Sequence, residues 1–562
     1  MAKHNWKKAA MGGTVMVTAA GMLLAGCGSN DNGASSSTSP TTGASATTAA
    51  STAPTAAARG KITATIYDRN NIPPQEGNWD KNRWTEWINK NGPVDVQYVP
   101  VPRWESLQKL NTLFASNSAP DLILEYDTGY RNLWYSQKLL APIDEMVEKY
   151  STTYKDLMKQ FPQLKKLGTK DDGKLYEVGK VSRLVAGHAV FIRQDWLDKL
   201  KLSTPKTADD LFNVAKAFAE QDPDGNGKKD TFGINLSGNG FSIISHMFGY
   251  GEVAWRVDGS NFIHEWERQS AAVDYQKKLF DAGVVDKDFL ADKNGEKAKQ
   301  DFLSGKLGIY LHQSTLDTSI GEKDYDTLKQ NVPDMKLAIV PLPSTQYGQF
   351  SPVISSPIQM VGIVNAKAKD QKAIMQYIDF MIKPDVSLTV SKGLEGVHWK
   401  RNAEGVPETI DAEKNKIEAS YTADLAMMSS TLLWGNTTFK PKNDTQTALL
   451  KLSDDAIAAY VSKDRPIPTL KPEYLPVLPA DLTMISKNVD QQIKDNWLKA
   501  IVSGKTFTAQ QALDTSKKTW EAAGGTKVDE FYAKWYTANK DTAFMLKDLY
   551  EFGEQADKLL KK

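Results

Sequence analysis

Apolar and polar residues alternate with strand-like and helix-like spacing along this chain from residue 61 onward. Segments with the period of a strand cover residues 61–67, 94–99 and 120–124. Helix-like spacing separates them, carried first by Trp84, Trp87 and Ile88 and then by Trp104, Leu107, Leu110 and Leu113. This β-α-β-α-β order predicts an open sheet flanked by helices.

The same kind of pattern continues through the rest of the chain. Thr207 and Asp210 form a capping-box-like start, and the amphipathic helix that follows is marked by Leu211, Val214, Ala215 and Phe218. Further helix and strand patterns cover residues 302–310, 355–365 and 373–382. Roughly 500 residues of this texture exceed a single hydrophobic core, so we expect at least two lobes.

A different pattern occupies the N-terminus. Three lysines precede an apolar run over residues 9–24, which has the length and flanks of a secretory signal peptide. Residues 24–27 end in Cys27, the only cysteine of the chain. They resemble the lipobox of bacterial lipoproteins, which implies cleavage after residue 26 and a diacylglycerol on the Cys27 sulfur. The alternative is an uncleaved membrane anchor, because the apolar run approaches a spanning length.

Residues 27–60 follow the leader as a tract of Ser, Thr, Ala, Gly and Pro, which predicts a disordered tether. Two acyl chains hold a protein on a bilayer without a spanning helix, so we expect a body anchored at the extracellular face of the cell membrane. Loss of residues 1–26 removes three lysines and no acidic residue, and the formal net charge falls from +1 to −2. That balance argues against nucleic-acid binding.

Short motifs spread over the body carry a family resemblance. They lie at residues 114–123, 137–144, 192–200, 204–207, 278–283, 304–306, 393–397 and 501–504. In order and spacing they resemble the family 1 extracellular solute-binding proteins of ABC importers. The resemblance is greatest to the large oligosaccharide-binding lipoproteins of Gram-positive bacteria.

This resemblance implies an α/β, periplasmic-binding-protein-like fold of type II, in which two lobes, each an open sheet flanked by helices, enclose a ligand cleft. The implied division is a signal peptide over 1–26, a lipidated tether over 27–60, lobe 1 over 61–183 plus about 355–400, and lobe 2 over 184–354 plus about 401–562. It also implies a monomer whose partners are an oligosaccharide, ABC permease subunits and, through the lipid anchor alone, the membrane.

Residues 222–230 form the sharpest local motif, a candidate calcium loop. Oxygen-bearing side chains alternate along it, and a backbone carbonyl completes the pattern of an EF-hand-like loop; the candidate ligands are Asp222, Asp224, Asn226, Lys228 through its carbonyl, and Asp230. Gly233 stands where an EF-hand has its bidentate glutamate, and Thr231 stands where similar solute-binding proteins often carry an acid. We expect a structural Ca²⁺ here; the alternative is a solvated turn without metal.

Fourteen tryptophans offer rings on which sugars stack, and ligands of open α/β sheets bind beyond the carboxyl ends of strands. By that rule the candidate ligand-binding residues after strands are Asp68, Asn70, Glu125, Tyr126, Asp127, Tyr310 and His312. Candidates in loop-like surroundings are Trp79, Trp255, Trp399 and Trp434. Glu395 is a further candidate near a lobe crossover. For each of them the alternative is a packed core or surface side chain.

Catalytic signatures are weak in this chain. Residues 168–174 match the spacing of a P-loop but end in Leu175, where magnesium binding needs Ser or Thr. The six histidines are scattered, and neither a His-Glu-x-x-His nor a Gly-x-Ser-x-Gly motif occurs. The sequence therefore favours a non-enzymatic receptor that captures an oligosaccharide by lobe closure. The alternatives are a surface-anchored carbohydrate-active enzyme, hydrolase or lyase, and a receptor for a peptide or small molecule.

Overall fold

The computed structural model describes residues 59–187, 189–312, 320–351, 356–403, 405–434, 441–541 and 543–560. The predicted signal peptide, Cys27 and nearly all of the predicted tether lie outside these ranges. Within them, no helix combines the length and the apolar character that crossing a bilayer requires.

Strands and helices are numbered here in chain order. The strands are β1 Lys61–Asp68, β2 Asp95–Pro102, β3 Leu122–Leu124, β4 Glu177–Val181, β5 Ala189–Arg193, β6 Phe232–Ile234, β7 Trp255–Asp258, β8 Asn261–His264, β9 Leu307–His312, β10 Leu337–Ile339, β11 Ile358–Val364, β12 Trp399–Arg401 and β13 Pro407–Thr409. The helices are α1 Arg83–Asn91, α2 Ser106–Ala115, α3 Thr128–Ser136, α4 Asp144–Tyr150, α5 Thr153–Gln160, α6 Gln163–Gly168, α7 Gln194–Leu200, α8 Ala208–Glu220, α9 Gly240–Met247, α10 Glu267–Asp281, α11 Glu296–Leu303, α12 Glu322–Asn331, α13 Gln371–Met381, α14 Pro384–Lys392, α15 Ala412–Glu418, α16 Asp444–Tyr460, α17 Ala480–Val502, α18 Ala509–Ala522, α19 Thr526–Asn539 and α20 Leu546–Leu560.

The first sheet has the strand order β2-β1-β3-β11-β4. β1 is parallel to β2 and β3, and Asp68 at its end pairs with Pro102 at the end of β2. β11 is antiparallel to both β3 and β4, so β4 runs in the same direction as β1, β2 and β3. The strands predicted at 61–67, 94–99, 120–124 and 355–365 are therefore confirmed, and they belong to one sheet.

The second sheet has the order β10-β5-β9-β6. β5 is antiparallel to β9 and β10, whereas β6 and β9 are parallel. The capping box predicted before α8 is present, because the Thr207 hydroxyl accepts a hydrogen bond from the Asp210 amide at 3.1 Å. Ala215 and Phe218 of α8 are fully buried beneath this sheet, as the predicted amphipathic face requires.

Each sheet has its own hydrophobic core. Ile66, Leu122 and Ile358 lie in the core of the first sheet, and Ile192 and Ile309 lie in the core of the second. The first core also takes in side chains from later in the chain, namely Tyr421, Leu425, Met428, Leu432, Leu549 and Phe552. The predicted boundaries assign those residues to lobe 2, but their packing attaches them to the first sheet. The lobe boundaries themselves stay a prediction.

The helix predicted from Trp104 begins later than its spacing indicates. β2 ends at Pro102, a 3-10 turn covers Arg103–Glu105, and α2 starts at Ser106. Trp104 is 88% exposed, so it is not part of the buried face that Leu110 completes. The spacing of the leucines places Trp104 on the buried helix face, but the 3-10 turn directs its side chain into solvent.

Strand directions decide which strand ends lie on the side where the chain crosses from the first sheet to the second. β4 ends at Val181 and β5 begins at Ala189, so a short segment joins the carboxyl end of one to the amino end of the other. Because β1, β2 and β3 run with β4, their carboxyl ends lie on the same edge as this crossing. In the second sheet β9 is antiparallel to β5, so its carboxyl end at His312 also lies on the crossing side.

Candidate ligand-binding site

Two tyrosines form a platform at the carboxyl edge of the first sheet. Tyr67 lies at the end of β1 and Tyr126 just beyond β3; their ring centroids are 5.8 Å apart, with 28° between the planes. The Tyr67 hydroxyl donates to Glu125 Oε1 at 2.6 Å and accepts from the Tyr126 amide at 3.1 Å. Burial, followed by the neighbouring Glu125 carboxylate, raises the pKa of Tyr67. These bonds hold both rings in place without a ligand.

Arg103 lies over this platform and also contacts the ring of Trp104. The Arg103 Cζ atom is 4.6 Å from the Tyr67 centroid, 5.1 Å from that of Trp104 and 5.8 Å from that of Tyr126. A guanidinium at such distances makes cation–π contacts with all three rings. The 88% exposed indole of Trp104 offers an open apolar face, the surface on which the C–H patches of a sugar ring pack.

A second arginine joins the platform to the later part of the chain. Arg69 Nε donates to Asp424 Oδ2 at 2.6 Å, and Arg69 Nη2 donates to Asp424 Oδ1 at 2.9 Å. The hydrogen bonding of Arg69 to Asp424 is the largest cause that raises the pKa of Arg69. This two-pronged pair neutralises Arg69 and fixes the segment around Asp424 beside β1.

Lys180, in β4, reaches the other side of the platform. Its Nζ lies 5.3 Å from the Tyr126 centroid, and the side chain is half-buried. Burial lowers the pKa of Lys180 to about 8, because a desolvated ammonium group is less stable than a hydrated one. The platform therefore has a cation near each of its two ends.

A small cavity leads away from Tyr126. It has a volume of about 100 Å³, and Arg131, Glu177 and Tyr474 contribute to its lining. Glu177 is buried, with Oε2 3.3 Å from Arg131 Nε and Oε1 2.6 Å from Lys170 Nζ. Burial opposes ionisation, but both cations together hold the pKa of Glu177 below its usual value.

A larger groove adjoins this cavity. Three residues line both of them, namely Leu167, Glu473 and Tyr474. The groove's volume of about 710 Å³ is large enough for several sugar rings. Its lining includes aromatic, basic and acidic side chains, namely Tyr474, Phe531, Trp535, Phe544, Lys166, Lys170, Lys534, Asp171 and Glu473. A ligand on the platform thus has a path along the first sheet.

Several residues predicted from strand ends do come together at this edge. Glu125 is fully buried and accepts from the Asp127 amide at 2.8 Å, and Tyr126 belongs to the platform. Asp68 Oδ1 accepts from the amide of Asn70, which is exposed, at 2.9 Å. His312 lies half-buried at the carboxyl end of β9, where burial, followed by Lys299, lowers its pKa.

Other predicted residues lie elsewhere. Trp79, Trp399 and Tyr310 are 3%, 3% and 1% exposed, so their rings have no open face for a sugar. Trp255 donates its Nε1–H to Asp529 Oδ1 at 2.9 Å, and Trp434 donates to Ser387 Oγ at 2.7 Å. Glu395 is exposed, 3.7 Å from Arg401. Ligand contacts through these side chains stay a prediction, and we leave the buried rings out of the site proposed below.

Sequence reasoning missed Tyr67, Arg103, Trp104 and Lys180. The rule that selected Asp68 and Glu125, position after a strand, applies equally to Arg103 and Trp104. Helical spacing instead predicts that Trp104 belongs to a helix, because Trp104 continues the spacing of the leucines that follow it. Lys180 lies inside a strand, and no sequence signal distinguishes it from an exposed lysine.

The candidate calcium loop curves around Asn226. Its Nδ2 group donates to Asp224 Oδ2 at 2.7 Å and to Asp230 Oδ1 at 3.0 Å. Asp222 Oδ2 accepts from the Gly227 amide at 3.0 Å, and Gly225 and Gly227 both have φ near +75°. Burial, followed by the Asp222 carboxyl, raises the pKa of Asp224.

The donor chemistry of this loop fits a hard cation, because carboxylate and amide oxygens are what Ca²⁺ prefers. The observed geometry is less complete. Over the described part of the chain, no group of three or more His, Cys, Asp or Glu side chains is arranged to hold a metal ion. Asp230 is instead 3.2 Å from Lys306 Nζ. The loop has calcium-type donors without a closed coordination shell.

Known proteins resemble this chain over most of its length. The protein named polygalacturonan/rhamnogalacturonan-binding protein YtcQ, from Bacillus subtilis, is 25% identical over 549 residues, which cover 94% of this chain and 98% of that protein. Lipoprotein LipO, also from Bacillus subtilis, is 23% identical, covering 82% of this chain and 90% of LipO.

A third relative has a solved structure. The fructooligosaccharide ABC transporter substrate-binding protein FusA of Streptococcus pneumoniae is 30% identical over 241 residues, covering 39% of this chain and 44% of FusA. Its complex with kestose matches this structure with a TM-score of 0.61 at 19% identity, covering 86% of this chain and 99% of that chain. An EF-hand mutant of FusA has also been solved with fructo-nystose. The structural likeness confirms the predicted two-lobed fold.

The family match agrees with the fold. Residues 74–387, more than half of the chain, match the family described as bacterial extracellular solute-binding protein. That range runs from the turn after β1 to α14 and includes Arg103, Trp104, Tyr126 and Lys180 of the site. The resemblance inferred from the short motifs is therefore confirmed: this chain belongs to the bacterial extracellular solute-binding proteins.

Proposed function

We propose that this protein is the receptor of an ABC importer and that it captures an oligosaccharide between its two lobes. The observation that carries the proposal is the exposed indole of Trp104 beside Arg103, whose guanidinium lies over the Tyr67 ring, at the edge of the first sheet where the chain crosses to the second. An exposed aromatic ring with nearby polar groups is the kind of surface that a sugar needs. The names of YtcQ and FusA, both saccharide-binding proteins, support it.

Capture would proceed by closure of the lobes. A saccharide on the platform presents its remaining hydroxyl groups to the edge of the second sheet, where His312 lies. Contacts with both edges exist only in the closed form, so the ligand favours that form by its differential affinity. The permease subunits would then recognise the closed receptor.

The anchor is part of the proposal. Cleavage before Cys27 and acylation of its sulfur would hold the monomeric receptor at the extracellular face of the membrane, near its permease. Residues 27–60 would supply the reach. The similarity to LipO, which is named a lipoprotein, supports this arrangement.

We also propose a structural Ca²⁺ in the loop over residues 222–230. Asp222, Asp224 and Asp230 would supply carboxylate oxygens, with Asn226 Oδ1 and the Lys228 carbonyl beside them. The EF-hand mutant of FusA supports the idea that relatives carry a loop of this kind. The ion would tie the end of α8 to β6, in the second sheet.

A direct binding experiment tests the receptor. Calorimetry of the full chain against a panel of neutral and acidic oligosaccharides should give saturable binding to at least one, together with a more compact scattering profile. Chromatography of the same mixtures should recover every saccharide intact. Shortened products would instead support the alternative of a carbohydrate-active enzyme, and binding of peptides alone would support the other alternative. Either result refutes the proposal.

A further inference from the structure

Two cations of the platform have no anionic partner. The side chains of Arg103 and Lys180 make neither a hydrogen bond nor an ion pair with any described residue, although both residues are only partly exposed. Both lie near one ring, at 5.8 Å and 5.3 Å from the Tyr126 centroid. A half-buried charge without a counter-ion is unfavourable, and such groups mark ligand sites.

The acidic groups of the same edge are, by contrast, already engaged. Asp424 holds the Arg69 guanidinium through two hydrogen bonds. Asp127 Oδ1 accepts from the Tyr130 amide at 2.9 Å, as the cap of α3, and Asp68 Oδ1 accepts from the Asn70 amide. Glu125 is turned inward, with Oε1 bonded to the Tyr67 hydroxyl. Each of these carboxylates thus has a hydrogen-bond partner among the described residues, whereas the Arg103 guanidinium and the Lys180 ammonium have none.

The groove beyond the platform also holds positive charge. Lys166 and Lys534 line it, and neither forms an ion pair within the described ranges. Lys166 Nζ lies 5.3 Å from the Phe544 centroid, which repeats the pairing of cation and aromatic ring found at Tyr126. Lys170 is matched by Glu177, and Asp171 accepts from the Tyr135 hydroxyl. An anionic chain would therefore meet two unpaired ammonium groups in this groove, alongside the carboxylates of Asp171 and Glu473.

We propose that the ligand is an acidic oligosaccharide, a chain of uronate sugars whose carboxylates bind Arg103 and Lys180 while a sugar face stacks on Trp104. This inference rests on the proposed receptor function and names its substrate class. Charge pairing supplies the preference for acidic sugars, and stacking supplies affinity that does not depend on charge. The Arg103 guanidinium makes no hydrogen bond to a described residue, so its N–H groups are free for a carboxylate.

Matched ligands separate the two contributions. The probes are tetramers of galacturonate, glucuronate-containing tetramers and alginate tetramers, each beside its fully methyl-esterified form, which keeps the sugar chain and removes the charge. Calorimetry of the full chain should show that one acidic tetramer binds at least tenfold more tightly than its ester. Its affinity should fall as NaCl is raised, because salt screens the pairing.

Variants assign the preference to residues. Arg103→Gln and Lys180→Gln should each weaken binding of the acidic tetramer about tenfold and leave binding of the ester nearly unchanged. Lys216→Gln, on the exposed face of α8, is the matched control and should change neither. Removal of the half-buried ammonium of Lys180 is not expected to impair folding, which circular dichroism checks.

The outcomes separate this inference from the receptor function. If neutral saccharides bind more tightly than every acidic one, or if an ester binds as well as its acid, the acidic preference is wrong and the receptor function stands. If both variants keep full affinity for the acidic tetramer, the assignment to Arg103 and Lys180 is wrong. If no saccharide of any charge binds, the proposed receptor function itself fails.

Discussion

The guanidinium carbon of Arg103 lies 4.6 Å from the centroid of the Tyr67 ring. The parallel register of β1 and β2 produces this contact, because it pairs Asp68, next to Tyr67, with Pro102, next to Arg103. Tyr67 is held in turn by Glu125 beyond β3. Three neighbouring strands therefore position one cation above one ring before any ligand arrives, which lowers the conformational entropy lost on binding.

The Trp104→Ala variant should bind saccharide more weakly by about 1–3 kcal/mol, because it removes the exposed apolar face on which a sugar would pack. Stability should hardly change, since the indole is exposed. Trp104→Phe, which keeps an aromatic face, should recover part of the affinity. Calorimetry measures both, and equal affinity of Trp104→Ala and wild type would remove Trp104 from the site.

Lys180 should make stability depend on pH in the alkaline range. Its pKa is about 8 in the folded chain against 10.5 for the unfolded group, so between these values the unfolded state binds more protons. Stability should therefore rise as pH increases through that window. Urea unfolding at pH 7 to 10 measures the rise, and the Lys180→Gln variant should lack this contribution. A wild-type curve parallel to that of the variant would contradict the assignment.

Glu177→Gln should lower the free energy of unfolding by about 3–5 kcal/mol, because it leaves two buried cations without their counter-ion. The pKa of Glu177 is lowered on folding, so its contribution is present above the unfolded value near 4.5 and is lost as the solution becomes more acidic. Glu145→Gln, in an exposed pair with Lys149, is the control and should hardly change the free energy of unfolding, because solvent screens an exposed pair. Equal losses in both variants would argue against a buried ion pair.

Calcium should raise the midpoint of thermal unfolding of the full chain by several degrees, since a ligand of the folded state alone stabilises it. A chelator should reverse the shift. Asp224→Asn should respond less, because it removes a proposed ligand, whereas Asp209→Asn at the start of α8 should respond like wild type. Magnesium tests selectivity. No shift with calcium in the wild type would leave the loop as a hydrogen-bonded turn.

Cys27→Ala should release the protein from the membrane fraction of cells that process lipoproteins, because the proposed acylation site is lost. Mass spectrometry of the wild-type N-terminus should find an acylated Cys27 with residues 1–26 removed. A Ser37→Ala substitution within the tether is the control and should stay in the membrane fraction. Retention of Cys27→Ala in that fraction would favour an uncleaved anchor.

The order of strands and helices was predictable from local patterning. The alternation over residues 61–67 and the spacing from Leu211 to Phe218 each indicate an element with one buried face. Such a pattern is visible within a few residues of sequence. Family motifs then indicated two lobes. Which aromatic rings are exposed was harder to predict. Trp79 and Trp104 both have polar neighbours in the sequence, yet Trp79 is 3% exposed and Trp104 is 88% exposed.

The sequence by itself determined the class of fold, the candidate anchor at Cys27 and the oxygen-rich loop at 222–230, because each depends on residues close together in the chain. Only the tertiary structure decided which side chains form the platform. Tyr67, Arg103, Tyr126 and Lys180 come from four different strands or their ends, and strand register and direction bring them together. Such contacts join distant segments, so no local pattern records them.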